Sequence, residues 1–169
     1  MDPDFEFILL RIVHIVTGSF WVGSAVFLSF ILEPQVRALG PAIHRPVMAT
    51  IGKVAGPVML SAGTITVIAG IALAFRVRPI ENWFVEGDGW GWAIGLGFVV
   101  SMAALSFGSM TAKTVKKMSA ASESMGDGPP TPEQMAEMQR LGGQIMRFSR
   151  IATVLVVIAV ASMASARFV

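Results

Sequence analysis

Four stretches of almost unbroken apolar character, Ile12 to Leu32, Val54 to Phe75, Gly89 to Ala112 and Ile151 to Ala166, alternate with polar runs along the chain. A helix needs ~20 residues to cross a ~30 Å hydrocarbon core, and the first three stretches supply them. The fourth reaches that length by taking in the turn with Met146 and Phe148, where Arg147 and Arg150 can extend their charged ends to the interface. The pattern predicts an all-α protein, an integral membrane four-helix bundle forming one domain over residues 1–169. Its spans are expected at about 5–32, 54–75, 89–112 and 146–166, with a cytoplasmic loop and helix start over 113–145.

Punctuation residues set the expected boundaries. Glu33-Pro34 is expected to close the first helix, because the residue before a proline is pushed out of the helical region. A turn with Gly40-Pro41 and Arg45-Pro46 leads to the second span, where Pro57 predicts a kink or the start of the regular helix. Ser119 to Pro130 has the Ser, Gly and Pro content of a loop. Thr131-Pro132-Glu133-Gln134 then reads as a helix start with a capping box, giving a fourth helix from about Pro132 with a weak point at Gly142-Gly143.

Charge adds orientation. Arg37, Arg45, Lys53, Lys113, Lys116, Lys117, Arg140, Arg147 and Arg150 fall on one side of the spans, and Arg76, Arg78 and Arg167 on the other. Lys and Arg concentrate in cytoplasmic loops, so both termini are expected outside and the protein multi-pass. The basic surplus then anchors against anionic lipid and requires no nucleic acid. The acidic start, Met1-Asp2-Pro3-Asp4-Phe5-Glu6, argues against a cleaved signal peptide. Trp83, Trp90 and Trp92 are expected as an interfacial belt.

With no cysteine in the chain, thiolate metal sites, iron–sulfur ligation and c-type haem attachment are excluded. The motifs of phosphoryl transfer and of metal- or serine-dependent hydrolysis are missing too. What remains is His14, an ionisable ring within the first span, and such a residue marks a functional site by default. On a helix, Arg11, His14, Gly18, Trp21 and Ala25 share one face. An imidazole ligand, a glycine that lets a flat ring approach, a tryptophan floor and a cation for a propionate are the parts of a b-type haem site. The competing expectation is a histidine hydrogen-bonded to a Ser or Thr of a neighbouring helix.

His44 is the only other histidine. It is expected in an exposed loop, and at 1.5 Å rise per residue His14 lies roughly 25 Å from the inner end of its helix, which excludes bis-histidine ligation. Met102 reaches a similar depth on the third span and is the candidate second ligand, with gap filling as the alternative. Met110, Met118, Met125, Met135, Met138 and Met146 raise copper as an alternative cofactor, since thioethers suit Cu(I), and packing again competes. Small residues at helical spacing, Gly52, Gly56, Gly63 and Gly70, then Gly97, Ser101, Ala104 and Gly108, then Ala152, Ala159 and Ala166, predict close helix packing and a homodimer through glycine-rich faces.

His14 followed after six residues by Trp21-Val22-Gly23, with Gly56-Pro57-Val58-Met59, Trp92 and Arg147-Phe148-Ser149-Arg150-Ile151, resembles bacterial copper-resistance protein D-like domains and HemJ-type protoporphyrinogen oxidases. The resemblance covers about a dozen motif positions. It implies a four-helix bundle of the bacterial inner (cytoplasmic) membrane and, from the HemJ-type branch, haem b on His14. HemJ-type proteins carry a lysine and further histidines in later spans, whereas no lysine here lies deeper than Lys113, so porphyrinogen oxidation is not expected. The expected function is haem-based redox or haem and porphyrin handling, with copper or small-solute transport, or a non-catalytic subunit of a larger membrane complex, as alternatives.

Overall fold

Gly40 makes the first reversal of the chain. Its φ of 89° is the one positive value among the described residues, a conformation open to glycine because it lacks Cβ. Pro41 follows at the first helical position, where its missing N–H costs nothing. The computed structural model describes residues 3–85, 88–125 and 130–169. The helices are α1 (Pro3–Val26), α2 (Glu33–Ala38), α3 (Pro41–Val77), α4 (Trp90–Glu123) and α5 (Pro132–Ser165). A π-helical segment, Phe27–Leu32, joins α1 to α2, so these three pieces form one span.

Four helices are thus long and apolar enough to cross a membrane. Val54, Ile68, Val99 and Val160 point outward, which suits lipid rather than water. The chain is an all-α, multi-pass membrane bundle. Both termini lie at one end, where Arg76 of α3 reaches Glu6 of α1 at 3.4 Å. The opposite end carries Arg37, Arg45 and the lysines of α4 and is called the basic end below.

Several boundaries differ from the sequence expectation. The first span does not stop at Glu33-Pro34 but runs on to Ala38. The wide turns shift the hydrogen-bond register, with the Glu33 N–H reaching the Leu28 carbonyl, and Pro34 then falls in the first turn of α2, where no N–H is needed. Pro46 and Pro57 both lie inside α3, so Pro57 does not mark its start. Ser119 to Glu123 continue α4, and the expected loop shrinks to the residues beyond it, of which 126–129 lie outside the described residues. So do Met1 and Asp2 of the acidic start. The capping box forms at Thr131: its hydroxyl accepts from the Gln134 N–H at 3.3 Å, and its own N–H donates to Gln134 Oε1 at 2.8 Å. Gly142-Gly143 does not break α5.

Sequence neighbours pack most closely, α1 with α3 and α4 with α5, and the two hairpins meet at a core of Trp21, Ala25, Ala62, Ala104 and Val156. Each of the four spans contributes to it. Towards the basic end the π segment is tied to α5 by hydroxyls. Ser29 Oγ lies 2.8 Å from Thr153 Oγ1 and 3.0 Å from Ser149 Oγ, and Thr153 Oγ1 reaches the Ala25 carbonyl at 3.3 Å. At 1 % exposure Thr153 has no lipid or water to turn to. We expect Thr153→Val to lower unfolding stability in detergent by about 1–2 kcal/mol and Thr153→Ser to recover most of the loss. Equal stability of all three proteins would show that the network contributes nothing.

Candidate functional site

Three positions on α1 interlock with three on α3. The His14 ring lies over Gly70, where an added Cβ would stand 2.8 Å from its Cε1. Gly18 faces Thr66, with a built Cβ 3.2 Å from Cγ2, and Trp21 sits in the notch of Gly63, with a built Cβ 2.8 Å from Cε2. Glycine and side chain alternate at one- to two-turn spacing on both helices, so the antiparallel pair closes without clash. The glycines therefore clear space for neighbouring side chains within the chain.

His14 Nδ1 is 2.8 Å from the backbone carbonyl oxygen of Thr66. The competing sequence expectation, a histidine hydrogen-bonded to a Ser or Thr of a neighbouring helix, is met by Thr66 of α3, which acts through its main chain. A main-chain partner fixes the chemistry. A hydroxyl can donate or accept, whereas a carbonyl only accepts, so Nδ1 carries a proton, and the tautomer this selects has its lone pair on Nε2. The carbonyl has a second lone pair beyond the one its helix uses. Beside it Thr17 Oγ1 and Thr66 Oγ1 meet at 2.8 Å, each also bonded to a carbonyl of its own helix.

Nε2 has no hydrogen-bond partner among the described residues. His14 borders a cavity of about 230 Å³ near the terminal end of the bundle. Gly70, Leu73 and Val77 of α3 form one side, Trp90 and Ile94 of α4 another, and Met163 of α5 the third. The Met163 thioether rests in the notch of Gly97, where an added Cβ would be 2.7 Å from its Cγ. The cavity wall is thus mostly apolar, with an imidazole, an indole and a thioether among its side chains.

Of the residues the sequence proposed for a haem site, His14, Arg11, Gly18, Trp21 and Met102, His14 alone lines this cavity. Arg11 is exposed one turn towards the terminus and has no ion-pair partner among the described residues. Gly18 closes α1 on α3, and Trp21, 7 % exposed, belongs to the central core two turns deeper. Met102 is 43 % exposed on the outer surface of α4 and takes no part in the cavity wall. Helix phase turns Met102 away from His14 and brings Met163 of α5 into the cavity wall instead. Met163 lies at the right level on the face of α5 that meets α4.

The connection between α3 and α4 joins Val77 and Trp90 of the cavity wall. Asp88 pairs with Arg78, and its Oδ1 accepts the Trp90 N–H at 2.8 Å. The Arg78 guanidinium lies 4.8 Å from the Trp90 ring centre, and Trp83 Nε1 donates to the Arg78 carbonyl at 2.9 Å. Trp83 and Trp90 are drawn inward here rather than serving only as a belt, while Trp92 is exposed. The Trp90 N–H and then Arg78 hold the Asp88 carboxyl below its ordinary value, against a smaller opposing effect of burial. A depressed carboxylate stabilises the fold above its unfolded pKa of ~3.9 and loses that contribution as pH falls through the lower folded value. Wild type should therefore exceed Asp88→Asn in thermal midpoint above about pH 5, and the gap should close below about pH 4. A gap independent of pH would contradict the pairing.

A second cavity, about 370 Å³, lies at the basic end between the starts of α3 and α5 and the end of α4. His44 borders it and is not in an exposed loop: it sits in the first turn of α3, 3.7 Å from Glu33 Oε1, and its Nε2 is enclosed without a hydrogen bond. Met118, Met138 and Met146 line the same cavity, whereas Met110, Met125 and Met135 do not. Among the described residues no group of three or more His, Asp or Glu side chains forms a metal site. Comparison with family models, curated proteins and solved structures finds no match to this chain.

Proposed function

We propose that this chain is a haem-b-binding protein of the bacterial cytoplasmic membrane, with its termini outside, and that it serves redox chemistry or haem handling. One observation carries the reading: the carbonyl of Thr66 holds a proton of His14 on Nδ1, which leaves Nε2 as the ligating nitrogen of a ring that borders a largely apolar cavity. A metal-ligating histidine ordinarily donates its other ring N–H in this way, which fixes the tautomer and raises ligand basicity. Met163 supplies a thioether in the same wall, and His/Met pairing is an established way to hold haem iron. Haem would supply one-electron chemistry when bound.

The donor set fits, and so does the rim. Arg11, one turn towards the terminus and without an ion-pair partner among the described residues, would meet a propionate. The volume is the tighter condition, because ligand pockets usually begin near ~300 Å³ and this one is smaller. Met163 is the most flexible side chain of the wall and is the one expected to give way. The copper alternative is weaker on charge: the methionines that gather at the basic end share their cavity with Arg37 and Arg45, which oppose a cation. Pairing of two copies would use the glycines left open, such as Gly23, Gly56 and Gly108.

Absorption spectra test the proposal. Protein purified in detergent and supplied with haemin should show a Soret band and reducible visible bands. His14→Ala should lose them, Met163→Ala should shift them, and His44→Ala should leave them unchanged. A colourless wild type, or a His14→Ala spectrum equal to wild type, would overturn it.

A further inference from the structure

At the basic end, we infer that the second cavity seats the headgroup of one anionic phospholipid. Its charge points that way. Arg37 is neutralised by Glu33, but Arg45 on the same cavity has no partner among the described residues, so a positive surplus remains. Next to it stands His44, whose enclosed Nε2 makes no hydrogen bond among the described residues and faces Glu33 Oε1 at 3.7 Å, so Arg45 carries the surplus charge and the imidazole a donor shared with that carboxylate. A guanidinium and an imidazole together make a phosphate seat, and basic pockets between membrane helices recognise lipid headgroups in this way.

The walls suit the rest of such a molecule. Met118, Met138 and Met146 offer flexible apolar surface that moulds to a chain. Gly142 and Gly143 face open space, since a Cβ at either would meet nothing within 4 Å. The glycine pair that fails to break α5 instead widens the cavity to about 370 Å³. Free phosphate would leave most of that volume and all of the thioether surface unused. Three thioethers and an imidazole also form a soft-metal donor set, but the surplus guanidinium disfavours a cation. The site lies at the opposite end of the bundle from His14 and does not depend on the haem reading.

Native mass spectrometry of the full, delipidated chain tests this with four probes: phosphatidylglycerol, phosphatidylcholine of matched chains, glycerol phosphate, and silver ion alone. One phosphatidylglycerol should be retained in preference to phosphatidylcholine. Arg45→Gln should weaken retention about fivefold, the effect of one basic side chain near anionic lipid. Gly142→Leu should abolish it by filling the cavity, while its lipid-free thermal midpoint stays at or above wild type because leucine is the better helix former. Equal retention of both lipids, or a Gly142→Leu protein that still holds phosphatidylglycerol, overturns the inference. So does glycerol phosphate competing on equal terms with the lipid, which would assign the seat to a soluble anion. Stoichiometric silver binding lost in Met138→Leu, with phosphatidylglycerol unaffected by Arg45→Gln, would assign it to a soft metal.

Discussion

Adding a single methyl group at Gly70 is expected to cost haem retention about tenfold or more, the range seen when the group orienting a metal-bound histidine is disturbed. The built Cβ lies 2.8 Å from His14 Cε1 and 3.0 Å from Nδ1, so in Gly70→Ala the ring must move. It is held at Nδ1 by a 2.8 Å bond to a helix carbonyl that has no freedom to follow. Moving the ring therefore breaks the bond that fixes its tautomer. Overpacking of this kind also destabilises by about 1–3 kcal/mol. Gly56 on the same helix is the control: its built Cβ meets nothing within 4 Å, and Gly56→Ala should be neutral or stabilising by up to ~1 kcal/mol through helix propensity. Haemin titration and unfolding midpoints in detergent measure both. If Gly70→Ala binds haem like wild type, the contact is not what positions the ring.

Trp21→Ala carries the largest expected loss of stability, about 3 kcal/mol, the lower end of the usual ~3–5 kcal/mol for removing a buried aromatic ring. The lower end applies because these helices pack in lipid, where separation exposes the ring to hydrocarbon rather than water. The loss is then mostly van der Waals contact. Trp21 touches the Gly63 notch, which Leu105 shares, and lies in one cluster with Ala25, Ala62, Ala104 and Val156, so its removal leaves a void that these small side chains cannot fill and that Leu105 and Met59 can fill only in part. Because the core and the His14 cavity are separate, a folded Trp21→Ala protein should still bind haemin. Loss of binding without loss of stability would instead place Trp21 at the ligand.

The architecture was legible because a bilayer imposes it. Runs of ~20 apolar residues and the Thr131 cap follow from local chemistry, and the spans lie where those signals put them. Helix ends were less legible. Glu33-Pro34 read as a stop because the rescuing feature, a π segment tied down by Ser29 to Ser149 and Thr153 more than a hundred residues later, has no local signature. His44 was misplaced for a similar reason: the turn at Gly40 folds the start of α3 back onto Glu33.

Within the candidate site, His14 announced itself as an ionisable residue in a span, but its partners did not. Thr66 acts through its main chain, which every residue has, and Gly70 through an absent side chain. Their i, i+4 spacing, continued at Gly63, was the available signal once α1 and α3 were taken as antiparallel neighbours. Met163 required helix phase as well as depth. Depth alone brought forward Met102, which points outward.

The tautomer of His14 is the most direct measurement of all. Nitrogen-15 spectra of histidine-labelled protein in lipid at neutral pH, assigned by comparison with His14→Ala, should show a protonated Nδ1 and an unprotonated Nε2, and haemin should perturb the Nε2 signal alone. A proton found on Nε2, or a ring that exchanges freely between both forms, would contradict the hydrogen bond to Thr66 and with it the free base on which the proposed function rests.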